Sequence, residues 1–536
     1  MTASPTPEAA RHPSSTKQPF SRELAWFLLI ACVTTILAAT RIAESDIWYH
    51  LRNAREIVQG GMVPRVDIYT FTSAGSPLVD YEWLSELVYL FAFERWGQHG
   101  LLAVYTVLLI VSYWSVYRLA CQRGANPMAA ALITAFGVVL GSFSFGPRMM
   151  HFGWMCLVLV MLILDGAERR PAMLWLLPPL FCLWINLHGS WPFGFVVMGA
   201  AIVDGLVRSR FRRLEGNAWS HRRLAGAVAA AATSVAALFV NPYGFPLVLY
   251  PFDLRFRQEY ATSVVYEWGA LDFRTLYGRL ALVMIAGLVA VAWRSKKVWR
   301  IRDVLLVCFA LWAALTYQRF LGFASLVLIP IVALHVRGWQ SIRTPVLDAF
   351  LSLAFAFVLS RSVPSRATLD QHIDRQFPRD ALAFMEREGI NGRLFNLFDF
   401  GGYIEWHAPQ LKTFADGRAD IFTYNGVLRD YMDAIWAGRT FEVLDKYRIE
   451  YVLIPPNGVV SSALRQSAEW RVVFSDEVAI LFERRSKGTS RRQRTVRGDG
   501  LTDEWLSVPL AEPSAPRVSA SAAGSREQGN SRSTWS

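Results

Sequence analysis

Apolar runs close to the length of a membrane span recur from residue 23 to about residue 360. They cover roughly 23–40, 100–118, 127–145, 151–166, 172–188, 192–208, 224–240, 280–293, 303–318, 321–336 and 345–360. A helix needs about 20 apolar residues to cross hydrocarbon, where each backbone polar group must find its partner within the segment. The runs therefore predict a mainly α fold, a polytopic helical membrane bundle of about eleven spans. Composition agrees, since 53% of the 536 residues are hydrophobic, more than an ordinary soluble chain carries. Many of the 20 Trp and 18 Tyr stand at the ends of these runs, as interfacial belts do.

The formal charge of +12 would suggest nucleic acid on a soluble protein. Here the excess lies in alternate short loops, where it sets orientation, and in the C-terminal tail. Arg118/Arg123, Arg169/Arg170, Arg208 to Arg223, Arg294 to Arg302 and Arg337/Arg343 mark a cytoplasmic face. The opposite loops are 41–99, 146–151, 188–192, 241–279, the neighbourhood of 319, and everything after 361. Loop 41–99 holds five basic and eight acidic residues, so charge and hydropathy agree. The polar segment 1–22 is expected in the cytoplasm, and run 23–40 is read as a retained first helix because no small-residue cleavage site follows it.

An odd number of spans puts the C-terminal region outside. Within 361–485, helix signals at Arg379–Glu388, Asn425–Tyr447 and Ser461–Trp470 alternate with strand signals at Arg393–Asn396, Lys412–Phe414, Glu450–Ile454 and Arg471–Phe482. This pattern predicts a small α/β domain. Residues 486–536 are rich in Ser, Arg, Gly and Ala, a composition expected to be disordered. The five cysteines all lie in or beside apolar runs, so the soluble region has no disulfide framework and no CxxC site.

Polarity concentrates where it is costly. Ser45-Asp46-Ile47-Trp48-Tyr49-His50-Leu51 follows the first span, and Asp80-Tyr81-Glu82-Trp83-Leu84 comes later in the same loop. Ionisable groups at the mouth of a helical bundle are functional candidates by default. Asp46 and His50 share a face if the segment is helical. Ile47, Leu51, Ala54 and Val58 would give that helix an apolar stripe for the membrane surface. The competing reading has Ser45 capping the helix and Asp46 complementing its dipole. Asp80 and Glu82 precede a second stripe, Leu84, Leu87, Val88 and Phe91, and are candidate acids or helix-start acids. In Pro64-Arg65-Val66-Asp67, Asp67 reads as part of a turn and Arg65 as a candidate anion contact.

Other outer span ends are polar too: Arg148 and His151, Asn186 and His188, Asn241, Glu267 and Arg319. Arginine offers a fixed fork of donors suited to phosphate. In the soluble region, Gly401-Gly402-Tyr403 and Asp416-Gly417-Arg418 read first as turn chemistry. The rival reading has Asp416 and Arg418 reaching back over the membrane site.

Together these residues resemble the GT-C superfamily of integral-membrane glycosyltransferases, in a bacterial branch. Its pattern combines Asp-x-Trp-x-His-Leu (Asp46, Trp48, His50, Leu51), Pro-Arg-x-Asp (Pro64, Arg65, Asp67) and Glu-Trp-Leu (Glu82, Trp83, Leu84). It continues with Asn-x-His-Gly (Asn186, His188, Gly189), Gly-Gly-Tyr and Asp-Gly-Arg, over about residues 25–485. Two departures stand out: Trp48-Tyr49-His50 replaces Trp-Trp-His, and Arg148-Met149 replaces Arg-Pro.

The resemblance implies a transferase in the bacterial cytoplasmic membrane that takes a sugar from a polyprenyl-phosphate-linked donor. Asp46 would be the general base, with Glu82 a second acid. His50, Arg65, Asp80, Arg148, His151, Asn186, His188, Glu267 and Arg319 would bind substrate. The acceptor is a glycan, a lipid or a protein, the other partners are membrane lipids, and nucleic acid is not one. No cofactor is assigned, and a divalent Mg or Mn ion is left open. Two other classes remain: a transporter or flippase of a lipid-linked glycan, with polar residues at the bilayer midplane, and a non-catalytic envelope assembly subunit.

Overall fold

The computed structural model describes residues 20–336 and 345–485; the N-terminal polar segment and the tail expected to be disordered lie outside this range. A helix occupies each of the eleven predicted runs. These helices are α1 (Phe20–Ala39), α4 (Gln98–Gln122), α5 (Pro127–Gly141), α6 (Met150–Gly166), α7 (Leu177–Leu187), α8 (Pro192–Leu206), α9 (His221–Ala237), α12 (Leu276–Arg294), α13 (Ile301–Thr316), α14 (Leu321–His335) and α15 (Pro345–Ser362). Among the described residues six helices are long and apolar enough to cross a membrane: Arg22–Ala39, Gln98–Gln122, Pro127–Ser144, Leu276–Arg294, Gln318–His335 and Pro345–Ser362. Met150–Gly166, Pro171–Leu187 and Pro192–Leu206 are apolar but shorter.

The first long loop contributes α2 (Ile47–Gly60) and α3 (Trp83–Trp96); the second contributes α10 (Phe245–Phe256) and α11 (Glu259–Val264). The stripe of α2 does not lie on the membrane surface as expected. On α2, Ile47, Trp48, Leu51, Ala54 and Ile57 are buried against protein, while Val58 is exposed. The helix is enclosed by α3 and the C-terminal region, so it is not a helix resting on lipid. On α3, Ser85 and Glu86 are buried, while Val88 and Phe91 are exposed. This inverts the soluble pattern: the polar face finds partners inside the protein, and the apolar face is left for the surroundings.

At the far end of the bundle, β1 (Arg210–Phe211), β2 (Leu214–Glu215) and β3 (Trp299–Arg300) form a small sheet. The C-terminal region contains α16 (Arg366–Asp374), α17 (Arg379–Arg387), β4 (Leu394–Asn396), α18 (Gly401–His407), α19 (Ala419–Tyr424), α20 (Val427–Ile435), α21 (Thr440–Lys446), β5 (Tyr451–Ile454), α22 (Val459–Gln466), β6 (Trp470–Ser475) and β7 (Ile480–Arg484). The sheet order is β4-β5-β7-β6, with β4 parallel to β5 and the other pairs antiparallel.

Two predicted elements differ. The helix expected over Asn425–Tyr447 is two helices, because Gly438 turns the chain at φ +72° between them. The strand expected at Lys412–Phe414 is a single bridge, from Thr413 to Thr70 of the first loop. That bridge continues as Phe71 N–H donating to the Thr413 carbonyl at 3.1 Å and Thr72 Oγ1 donating to Phe414. Trp48 fills the joint between α2 and the C-terminal region, edge-on to Tyr403 (5.0 Å) and Phe377 (5.8 Å). Loop and C-terminal region thus pack as one layer over the bundle end where α1 stops and α2 begins.

Candidate active site

Asp46 stands at the start of α2, but it does not cap it. A capping Asp has extended backbone angles and accepts an N–H of the first turn. Asp46 has φ −72° and ψ −26°, and its side chain makes no cap bond. Among the described residues its carboxylate has one hydrogen-bond donor, Ser45 Oγ at 3.5 Å. The half-buried side chain faces Gly417, where a Cβ would stand 2.2 Å from Asp46 Oδ1. Burial pushes the Asp46 carboxyl up to about 7; Glu44 and Asp399 add to this, against the pull of Arg148 and His50. An acid in that range is suited to taking a proton near neutrality.

Glu82 occupies the position before α3 and is likewise no cap. Two imidazoles hold its carboxylate: His188 Nε2 at 3.1 Å and His50 Nε2 at 3.5 Å. The His188 tautomer follows from its surroundings. The Ser190 N–H donates to His188 Nδ1 at 3.0 Å, so the proton sits on Nε2 and points at Glu82. Burial alone raises the Glu82 carboxyl, but the His188 bond and the charges of His188, His50 and Arg319 hold it below the usual range.

Behind His50 lies a buried acid pair. His50 Nδ1 is 2.6 Å from Glu86 Oε1, and Asn53 Nδ2 donates to Glu86 at 2.8 Å and to Asp80. Burial lifts Glu86 to about 8 and Asp80 well above the carboxylate range. Neither Glu86 nor Asn53 is singled out by the sequence motifs. Their spacing was the available signal: Glu86 is one turn beyond Glu82, and Asn53 one turn beyond His50.

Arg148 follows Gly146, whose φ of +144° turns the chain beside Glu44. Its guanidinium grips Glu44 through Nε (2.9 Å) and a terminal nitrogen (3.0 Å), and Glu267 at 2.5 Å. Both carboxylates hold the Arg148 charge, and Arg148 with Arg319 in turn holds Glu267 ionised against its burial. This guanidinium is spent on the protein's own acids. Arg319 is different. It lies over Trp268 at 4.3 Å, is partly exposed, and has no carboxylate partner among the described residues. Its field reaches Tyr81, Glu82 and Glu267.

Three candidates take structural places. Arg65 donates to the Pro242 carbonyl at 2.6 Å and lies over Tyr243, pinning the second loop. His151 is fully buried, bonded to the Arg148 carbonyl at 3.0 Å and stacked on Tyr105. Asn186 accepts from Trp83 Nε1 at 3.0 Å and donates to the Cys182 and Val240 carbonyls. Asn186 is thereby satisfied, whereas Arg65 is exposed and His151 Nε2 is buried with no hydrogen-bond partner among the described residues.

The glycine motifs are not turns. Gly401, Gly402 and Gly417 lack positive φ. Each permits close approach instead: a Cβ on Gly402 would stand 2.8 Å from Tyr49 N, and one on Gly401 would stand 2.3 Å from the Ala415 carbonyl. Arg418 reaches back to the first loop, pairing with Asp67 at 3.1 Å while donating to Asp416 through Nε at 2.8 Å. Its charge holds Asp416 low despite complete burial, whereas Glu405, beside both, is pushed far up by burial and by Asp416. Arg418 also lies over Tyr69 at 4.7 Å and Tyr49 at 5.8 Å, tying the C-terminal region to the helix that carries His50.

The region thus holds a carboxylate without a cation partner, an ionised one held by two imidazoles, and a guanidinium without a carboxylate partner among the described residues. Among the described residues no group of three or more His, Cys, Asp or Glu side chains is arranged to hold a metal ion, and Glu82 is already engaged by two imidazoles. Beside His188, Tyr81 stacks on Tyr250 at 4.2 Å, and the Tyr250 hydroxyl donates to Asp420 at 3.1 Å.

No family model matches this chain, and no curated protein matches it. Among solved structures, the apo form of an oligosaccharyltransferase from Archaeoglobus fulgidus aligns with a TM-score of 0.47 at 13% identity, over 80% of this chain and 69% of that one. The same protein in complex with Zn and sulfate aligns at 0.44 and 13%, over 80% and 67%. Likeness at that level carries no inference about activity.

Proposed function

We propose that the chain transfers a sugar from a polyprenyl-phosphate-linked donor to an acceptor hydroxyl on the outer face of the membrane. Asp46 carries this reading: a half-buried carboxyl pushed up to about 7 that neither caps its helix nor pairs with a cation among the described residues. In the proposed reaction Asp46 takes the acceptor proton as the acceptor oxygen bonds to the anomeric carbon. The bond from that carbon to the phosphate oxygen breaks, and its electron pair leaves with the polyprenyl phosphate. Attack opposite the leaving group inverts the anomeric centre.

Arg319, free of carboxylates among the described residues, receives the charge that builds on the phosphate. Glu82 stays ionised between its imidazoles and orients the incoming hydroxyl. The Tyr81–Tyr250 stack offers an aromatic wall to the sugar ring.

A vesicle experiment separates this function from lipid flipping. The full chain is reconstituted with radiolabelled polyprenyl-phosphate sugars and a mixed glycan, lipid and protein acceptor fraction. Transfer strips label from the lipid and moves it to an acceptor. Label that crosses the bilayer still attached to its lipid would replace this reading with a flippase.

A further inference from the structure

The turns at the opposite end of the bundle enclose a basic cleft. Asn126 stands before α5, Ser295 to Lys297 follow α12, and His335 ends α14. The other ends of α5 and α14 meet near the candidate site, where Ser144 Oγ donates to the Arg319 carbonyl at 3.2 Å. The cleft is therefore on the far face, in the loops whose basic residues mark the cytoplasmic side. Its volume is about 430 Å³. Lys296 and Lys297 line it, and among the described residues no acidic side chain does. Both lysines are exposed, and Lys297 Nζ donates to the Leu334 carbonyl.

His335 gives the cleft its direction. The side chain is 4% exposed. Lys297 N–H donates to Ser295 Oγ at 3.2 Å, so that hydroxyl turns its own proton toward His335 Nδ1, 2.8 Å away. The imidazole proton is then on Nε2, and Nε2 has no partner among the described residues. A buried N–H without a hydrogen-bond acceptor, in a cavity that Lys296 and Lys297 also line, suits an anionic oxygen; the Asp303 carboxylate acts on the ring by its charge but makes no hydrogen bond to it among the described residues.

The ring of Trp299 stacks on His335 at 3.9 Å. Trp299 also lines a groove of about 530 Å³ whose walls are Leu288 and Val289 of α12 and Val304 and Val307 of α13, with Arg212 and Arg213 beside it. The apolar groove and the polar cleft thus adjoin through a stacked pair, Trp299 of the groove on His335 of the cleft.

We propose that this far-face cleft binds the phosphate of an anionic phospholipid, with an acyl chain along the groove past Trp299. The site is separate from the transfer chemistry proposed above. Clustered basic residues at the cytoplasmic ends of spans attract anionic headgroups, each lysine strengthening binding about fivefold.

The test uses the full chain in nonionic detergent. Unfolding midpoints are followed on titration with phosphatidylglycerol, phosphatidylcholine or inorganic phosphate, because a ligand that binds only the folded state raises the midpoint. Phosphatidylglycerol should raise it and phosphatidylcholine should not. Lys296→Gln, a surface change, should weaken the phosphatidylglycerol response about fivefold. His335→Phe keeps the stack on Trp299 and should lose the response. An equal response to inorganic phosphate would overturn the lipid as occupant. No response, an equal response to phosphatidylcholine, or an unchanged response in Lys296→Gln would overturn the site.

Discussion

Burial first, and then the nearby Glu44 carboxylate, push the Asp46 carboxyl up to about 7. The nearest strong cation, Arg148, is occupied by Glu44 and Glu267, and the backbone of Gly417 covers one side of the carboxylate. Glycine is required at 417 for its missing Cβ, not for its backbone angles. Gly417→Ala would place a methyl 2.2 Å from Asp46 Oδ1 and force the carboxylate or the loop to move. A misplacement on the scale of 1 Å costs about a hundredfold in rate. The account expects that loss in the transfer rate of Gly417→Ala. Gly199, with open space around its Cβ position, should accept alanine without loss. Equal rates for the two variants would contradict the contact.

At the scale of elements, a buried arginine is the charged tie in the joint between the first loop and the C-terminal region. Arg418 is the partner of both Asp67 and Asp416. Removing one member of a buried pair leaves uncompensated charge and costs about 3–5 kcal/mol. Arg418→Met should therefore lower the unfolding midpoint sharply. Arg439→Met breaks only exposed pairs to Asp433 and Glu442 and should leave the midpoint unchanged. Equal midpoints for both variants would refute the role assigned to Arg418.

Part of this joint was legible in the sequence. Periodicity located α17, β4, β5 and the β6–β7 region, and the motifs brought out Asp46 and Glu82 as candidates, whereas Asp-Gly-Arg read first as a turn and only in the rival reading as reaching back over the membrane. The function of Gly402 and Gly417 was not legible, because a glycine chosen for its missing Cβ looks the same in sequence as one chosen for a left-handed turn. The buried faces of α2 and α3 were also hidden. A stripe shows that a helix has two faces, and only the surroundings decide which one is buried.

At the scale of the whole molecule, hydropathy located every long helix, since a span must be apolar along its length whatever it packs against. It could not show that Arg65 reaches the Pro242 carbonyl or that Asn186 takes the Trp83 indole N–H and donates to the Val240 carbonyl, partners in distant segments. Nor could it distinguish Arg148, bound by two acids, from Arg319, bound by none among the described residues. Such assignments depend on which loops meet over the bundle.

The most direct measurement is the rate at which label passes from a polyprenyl-phosphate sugar to an acceptor, for wild type and Asp46→Asn, across the neutral pH range. A base with its pKa raised to about 7 is active only once deprotonated, so the wild-type rate should climb with pH and reach half its plateau near pH 7. Asp46→Asn should fold with an unchanged unfolding midpoint yet transfer at least about a hundredfold more slowly at every pH. Turnover by Asp46→Asn at the wild-type rate, with the same pH profile, would contradict the account.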